Sequence, residues 1–195
     1  GVHRFVWDMH YTRAAGSGSD YPIAATYMNT AGEPHGPWVA PGRYTAKLTA
    51  NGETVSQTFT VRMDPRIKTT TAELQTQFDL SYAALKAVNR AYSILAEIKS
   101  AKAKKSVQDD KPLMSELNQL EGSGSGARRG RRSASSVNST LSSLMGDLTG
   151  LMDAMQASDS PVLPYTVATV KRKLNAIQEN FKVWEKLESE LKEKK

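Results

Sequence analysis

Large and mostly polar side chains alternate along residues 4–11, where Phe5, Trp7, Met9 and Tyr11 occupy every second position. A two-residue period puts those four on one face of a strand and predicts that face to be buried. A short strand is expected at Ile23–Met28, followed by a turn-rich loop from Asn29 to Gly42. Arg43–Ala50, Asn51-Gly52 and Glu53–Met63 then read as a hairpin. Asn-Gly supplies the two positive-φ positions of a type I′ turn, and Thr, Val and Phe in the second arm favour strand. The natural container is an antiparallel β-sandwich. Roughly four strands are counted, where an immunoglobulin-like sandwich has about seven, so strands upstream of Gly1 are expected to be missing.

The period changes to three and four after residue 67. Thr70-Thr71-Ala72-Glu73 has the spacing of a capping box, which opens a helix by satisfying its first free N–H groups. Leu74, Phe78, Tyr82, Leu85, Val88, Tyr92, Leu95 and Ile98 form its apolar stripe. The pattern fades through the Lys/Ala stretch 99–105 and Pro112, and a shorter helix is expected at Leu113–Leu120. Val137, Leu141, Leu144, Leu148, Leu151 and Met155 form a second long stripe. Val167, Val170, Leu174, Ile177, Phe181, Trp184, Leu187 and Leu191 form a third. Three stripes on three long segments predict an antiparallel three-helix bundle or a helical hairpin. The fold class is therefore α+β: a partial Ig-like antiparallel β-sandwich in residues 1–66, then a helical bundle in residues 67–195. A basic loop at 122–135, with Gly122-Ser123-Gly124-Ser125-Gly126 at its start, is expected to be flexible.

Composition sharpens this division. The 195 residues carry a net charge of +6, of which +1 falls in residues 1–66 and +5 in residues 67–195. There is no cysteine, which excludes a disulfide scaffold, a thiolate metal site and a cysteine nucleophile. No apolar run approaches the ~20 residues of a membrane span, and no signal-peptide core is present. The sequence opens on Gly1 instead of Met, as expected of a processed product, a fragment or a trimmed chain.

Little in the sequence carries chemistry. His3, His10 and His35 lack the spacing of a metal-binding pair. Asp8 and Glu33 are the conceivable glycosidase carboxylates, but nothing sets their separation. There is no Gly-x-Ser-x-Gly elbow, no phosphate-binding loop and no dinucleotide fingerprint. No cofactor, metal site or catalytic residue is assigned, and the sequence reads as a non-enzyme. The densest charge is Arg128-Arg129-Gly130-Arg131-Arg132. Arg128, Arg129, Arg131 and Arg132 together suit phosphate, sulfate or an acidic polymer. Interleaved aromatics are missing, so nucleic acid is not the expected partner. Trp38, between Pro37 and Val39, is the aromatic expected to be most exposed, as a loop anchor or a sugar-stacking platform.

An ordered set of motifs adds a resemblance. Arg4-Phe5-Val6-Trp7-Asp8-Met9-His10-Tyr11, Ala40-Pro41-Gly42-Arg43-Tyr44-Thr45-Ala46-Lys47-Leu48 and Val61-Arg62-Met63-Asp64-Pro65-Arg66 occur in that order. They resemble the C-terminal region of large secreted bacterial proteins built on a sortilin-like, BNR-repeat β-propeller, often labelled glycosyl hydrolases. The Trp-Asp and Pro-Gly-x-Tyr pieces are also similar to the small Ig-like domain of flagellar hook-capping proteins. The specific motifs lie in residues 4–66, and the helical half matches by layout alone. His3 stands where that family tends to have Asn. The resemblance implies a non-catalytic accessory module of a secreted, periplasmic or cell-envelope protein, acting in docking or assembly. Its implied partner is the parent propeller or another protein subunit. Trp7 and Tyr44 would anchor the Ig-like core, and Asp64, Pro65 and Arg66 would form the joint to the helices. The alternatives are a polyanion-binding module using the four arginines and a fragment of a glycoside hydrolase.

Overall fold

The computed structural model describes residues 4–18, 36–122 and 139–193. Within them the protein is a mixed α and β structure, a two-stranded antiparallel sheet followed by five helices.

The longest helix, α1 (Thr71–Lys102), begins where the sequence places its cap. The Thr70 N–H donates to the Glu73 carboxylate at 2.8 Å, and the Glu73 N–H donates to the Thr70 hydroxyl at 3.3 Å. Its buried face mixes Leu85, Val88, Ile94 and Ile98 with Ala84, Ala87 and Ala91. Those alanines let neighbouring backbones approach, because nothing larger than a methyl group stands between them. A single turn, α2 (Lys105–Gln108), leads into α3 (Lys111–Glu121), which Asp110 caps by accepting the Leu113 N–H at 3.1 Å. Pro112 sits in the first turn of α3, where its missing N–H costs nothing, and Gly122 ends the helix at φ +100°.

The remaining helices are α4 (Leu141–Gln156) and α5 (Pro164–Glu193). The three long helices α1, α4 and α5 pack pairwise against one another, and α3 closes one end. Their shared core holds Leu117, Leu141, Leu144, Leu148, Ile177, Phe181, Trp184 and Leu187. Trp184 is fully buried and still satisfies its indole N–H, which donates to the Glu97 carboxylate at 3.1 Å. Leu80, Met155 and Val170 make a second, smaller cluster.

The sheet pairs β1 (Gly42–Ala50) with β2 (Glu53–Val61) in a ladder from Gly42↔Val61 to Ala50↔Glu53. Asn51 and Gly52 take φ of +50° and +83°, as an Asn-Gly turn requires. Register gives the hairpin two unlike faces. Tyr44, Ala46 and Leu48 lie opposite Phe59, Gln57 and Val55, while Arg43, Thr45, Lys47 and Thr49 lie opposite Thr60, Thr58, Ser56 and Thr54.

Residues 4–11 depart from the expected strand. They make one isolated bridge, His10↔Trp38, and the alternation breaks at Met9, whose φ is +61°. The Asp8 carboxylate accepts the His10 N–H at 3.0 Å and stabilises that turn. Trp7 and Tyr11 therefore face inward on different elements, while Phe5 is 88% exposed and Met9 also faces solvent. A period of two describes a straight strand, and this segment bends. The α1 stripe is also rotated from the expected one: Tyr92 is largely exposed, and Phe78 and Tyr82 are half-buried. The expected strand at Ile23–Met28 lies outside the described residues, as do His3, Glu33, His35 and Val137.

Candidate functional site

Two neighbouring features stand out, a polar joint between sheet and helices and the bare outer part of the hairpin. Neither strand packs directly on a helix. The connection runs instead through residues 7–17, 36–41 and 62–70.

Trp7 is the first connector. Its ring packs 5.8 Å from both Tyr44 and Phe59, at tilted and edge-on angles, and its indole N–H donates to the His10 carbonyl at 3.3 Å. Tyr44 donates its hydroxyl to the Ala40 carbonyl at 2.6 Å. Burial raises the Tyr44 phenol above its ordinary value, with Tyr11 a smaller contributor. Four residues beyond Trp7, Tyr11 lies 5.3 Å from Phe78 and 5.0 Å from Tyr82 on α1. Two aromatic residues of one short segment thus grip the sheet base and the longest helix.

Residues 36–39 complete the connection. The Tyr11 N–H donates to the Pro37 carbonyl and the Val39 N–H to the Met9 carbonyl, both at 2.9 Å. Gly36 is required here, because a β-carbon would stand 2.2 Å from the Tyr11 carbonyl oxygen. The Trp38 ring lies 3.7 Å from the His10 ring, centroid to centroid. The Trp38 N–H donates to the Gln156 Oε1 at 2.8 Å, and the Nε2 of the same Gln156 donates to the Ser81 hydroxyl at 2.8 Å. Gln77, one turn before Ser81, donates its amide to the Met155 and Ser158 carbonyls at the end of α4. Those carbonyls have no intrahelical partner, so Gln77 caps the C-terminus of α4 from a neighbouring helix. Asp64 and Arg66 form a two-residue clasp closing at 2.5 Å, and the guanidinium holds the Asp64 carboxyl below its ordinary value. Thr69 donates to the Asp159 carbonyl on the far side of the joint.

These elements surround an open cleft of about 230 Å³ lined by Met9, Trp38, Arg62, Met63, Phe78 and Asp159, among others. Its lining is mostly apolar, with Arg62, Asp64 and Asp159 as its charged members. No group of three His, Asp or Glu side chains among the described residues is arranged to hold a metal, and no described helix is long and apolar enough to cross a membrane.

Beyond Tyr44 and Phe59 no other described residue covers the outward-running hairpin. Leu48 and Val55 face each other across the ladder at 65% and 64% exposure, on the same face that Trp7 covers at the base. An antiparallel sheet normally buries one face. Here that face is covered only at its base, where Trp7 packs on Tyr44 and Phe59.

The residues singled out in the sequence fare unequally. Trp7 and Tyr44 come together, and Asp64, Pro65 and Arg66 lie at the start of the passage from β2 into α1. Arg128, Arg129, Arg131 and Arg132 lie outside the described residues, together with most of the 122–135 loop. Trp38 is exposed over 45% of its surface, and it anchors the joint through its backbone N–H as well as its ring. Asp8 is committed to its local turn. Sequence reasoning misses the glutamines. Their signal is Gln77 and Ser81, two polar residues one turn apart on an otherwise apolar helix face, and both are buried.

The protein matches no protein-family model, no curated protein and no solved structure.

Proposed function

We propose that this protein is a non-catalytic docking module: the helical part is a rigid mount, and the hairpin presents its apolar face to a partner protein. The observation that carries this reading is the exposed Leu48–Val55 pair, contiguous with the Trp7–Tyr44–Phe59 cluster on one face of the hairpin. A two-stranded sheet is marginal in water by itself and gains stability from a surface laid on its apolar side. The joint suits such a role, since it fixes the hairpin base through paired backbone groups and buried amides.

The resemblance of the ordered motifs of residues 4–66 supports one class of partner: the β-propeller body of a secreted or cell-envelope bacterial protein of sortilin-like, BNR-repeat type. In this reading further strands complete an Ig-like sandwich around the hairpin, and any hydrolytic site belongs to the propeller. The test is binding of the purified protein to a separately expressed propeller of that type, followed by calorimetry. The expected result is binding that Leu48→Ser with Val55→Ser weakens at least roughly tenfold, since removing two exposed apolar side chains forfeits about 1.4 kcal/mol or more on docking. Failure of the unaltered protein to bind, or undiminished binding by the double variant, rejects the proposal.

A further inference from the structure

Among the described residues the hairpin has two open edges as well as an open face, and the edges differ in chemistry. With Ala50↔Glu53 closing a two-residue turn, the pairs Thr49↔Thr54, Lys47↔Ser56, Thr45↔Thr58 and Arg43↔Thr60 aim their backbone N–H and C=O groups away from the sheet. On β1 these outward positions include Arg43 and Lys47; on β2 they are Thr54, Ser56, Thr58 and Thr60. Positive charges on an edge strand discourage self-association, because a copy arriving antiparallel brings like charges together. A β1–β1 pair centred on Thr45 would set each Arg43 against the Lys47 of the other copy. The β2 edge carries no such guard: between Thr54 and Val61 it has no charge and no proline.

We propose that β2 pairs edge to edge with β2 of a second copy of this protein about a two-fold axis, making one four-stranded antiparallel sheet. The register centred on Gln57 is self-complementary. It sets Val55 opposite Phe59 of the second copy, Ser56 opposite Thr58, and Thr54 opposite Thr60. Such apolar and hydroxyl pairs stabilise antiparallel neighbours. The four outward residues of each strand exchange about eight backbone hydrogen bonds in this register. Glu53 arrives opposite Val61 of the second copy, so no like charges meet anywhere along the paired strands. The symmetry is closed, so the association stops at a dimer. The joined sheet also leaves its apolar face open, and Leu48, on β1, takes no part in the pairing.

Sedimentation equilibrium of the full-length protein over a concentration series tests this. A concentration-dependent dimer is expected. Ser56→Lys with Thr58→Lys places lysines opposite one another across the axis and is expected to raise the dimer Kd roughly tenfold or more. Thr45→Lys, on the β1 edge, is expected to leave it unchanged. Ser56→Lys with Thr58→Glu sets lysine against glutamate across the axis and is expected to restore the dimer; the restoration separates a lost interface from a damaged fold. Circular dichroism of each variant reports on folding. Leu48→Ser, which alters only the face, is expected to dimerise normally, so loss of propeller docking and loss of dimerisation are read separately. A protein that stays monomeric throughout, a dimer indifferent to the β2 lysines, or a failed charge swap overturns the proposal.

Discussion

The Trp38 backbone N–H and the Gln156 Oε1 meet at 2.8 Å across 118 positions of sequence. Through that bond the last residue of α4 holds the loop leading into the hairpin. The same residue reaches Ser81 on α1, so one amide ties together the three parts of the joint. Gln156→Ala removes both bonds and leaves the buried Ser81 hydroxyl without this donor. We expect a loss of about 1–3 kcal/mol in urea unfolding, with a red shift in Trp38 emission. Gln156→Glu keeps the acceptor and loses the donor, and is expected to retain the Trp38 signal better than alanine does.

Two glycine-to-alanine substitutions should act with opposite signs. Gly146 is an exposed position in the middle of α4 with open space around its missing side chain. Alanine there is expected to stabilise by about 0.5–1 kcal/mol, because glycine loses more backbone entropy on folding. Gly36 is hemmed in by the Tyr11 and Thr12 carbonyls at 2.2 and 2.6 Å from a built β-carbon. Gly36→Ala must push the two backbone segments apart, and is expected to lower the melting temperature and uncouple Trp38 from His10. Differential scanning calorimetry of both variants checks the contrast.

Acid should loosen the fold through local carboxylates. The Thr70 backbone N–H, and secondarily its hydroxyl, hold Glu73 below the usual 4.5; Arg66 holds Asp64 below the usual 3.8. A carboxylate with a depressed folded pKa binds protons more readily once unfolded. Its contribution is present above the unfolded value and lost as pH falls through the folded one. Melting temperature is therefore expected to decline as pH falls below about 4.5. Both groups are solvent-accessible, so the slope should be shallow and shrink with salt. Glu73→Gln with Asp64→Asn should flatten it.

Trp184 offers a test of the helical core. Trp184→Ala opens a large cavity in the helical core, and a loss of about 3–5 kcal/mol is expected. Trp184→Phe fills most of the space but removes the indole donor, so a smaller loss is expected. Chemical denaturation monitored by far-ultraviolet circular dichroism gives both values.

Helix positions were legible because the apolar residues that define α1, α4 and α5 are separated by threes and fours over many turns, which leaves little choice of face. The hairpin was legible because Asn51-Gly52 encodes its own turn. Residues 4–11 misled because a local turn at Asp8 and Met9 overrides a two-residue period, and nothing apolar marks it. The alanines of α1 were invisible for a related reason: hydrophobic patterning weighs Tyr92 above Ala91, whereas close helix packing favours the smaller residue. The joint was the least legible. It depends on amides that bond to backbone groups from Trp38 to Ser158, and such partners have no sequence signature at the glutamine itself.

The hairpin is also a lever. Nine paired residues carry its tip about 30 Å from the base, and its rigid attachment is the cluster around Trp7, Tyr44 and Ala40. Any sideways load on Asn51-Gly52 is delivered, multiplied by that arm, to Trp38 and its bond with Gln156. Tension on the tip would thus be felt first at the end of α4, and pulling there is expected to detach the β unit while the helices remain folded.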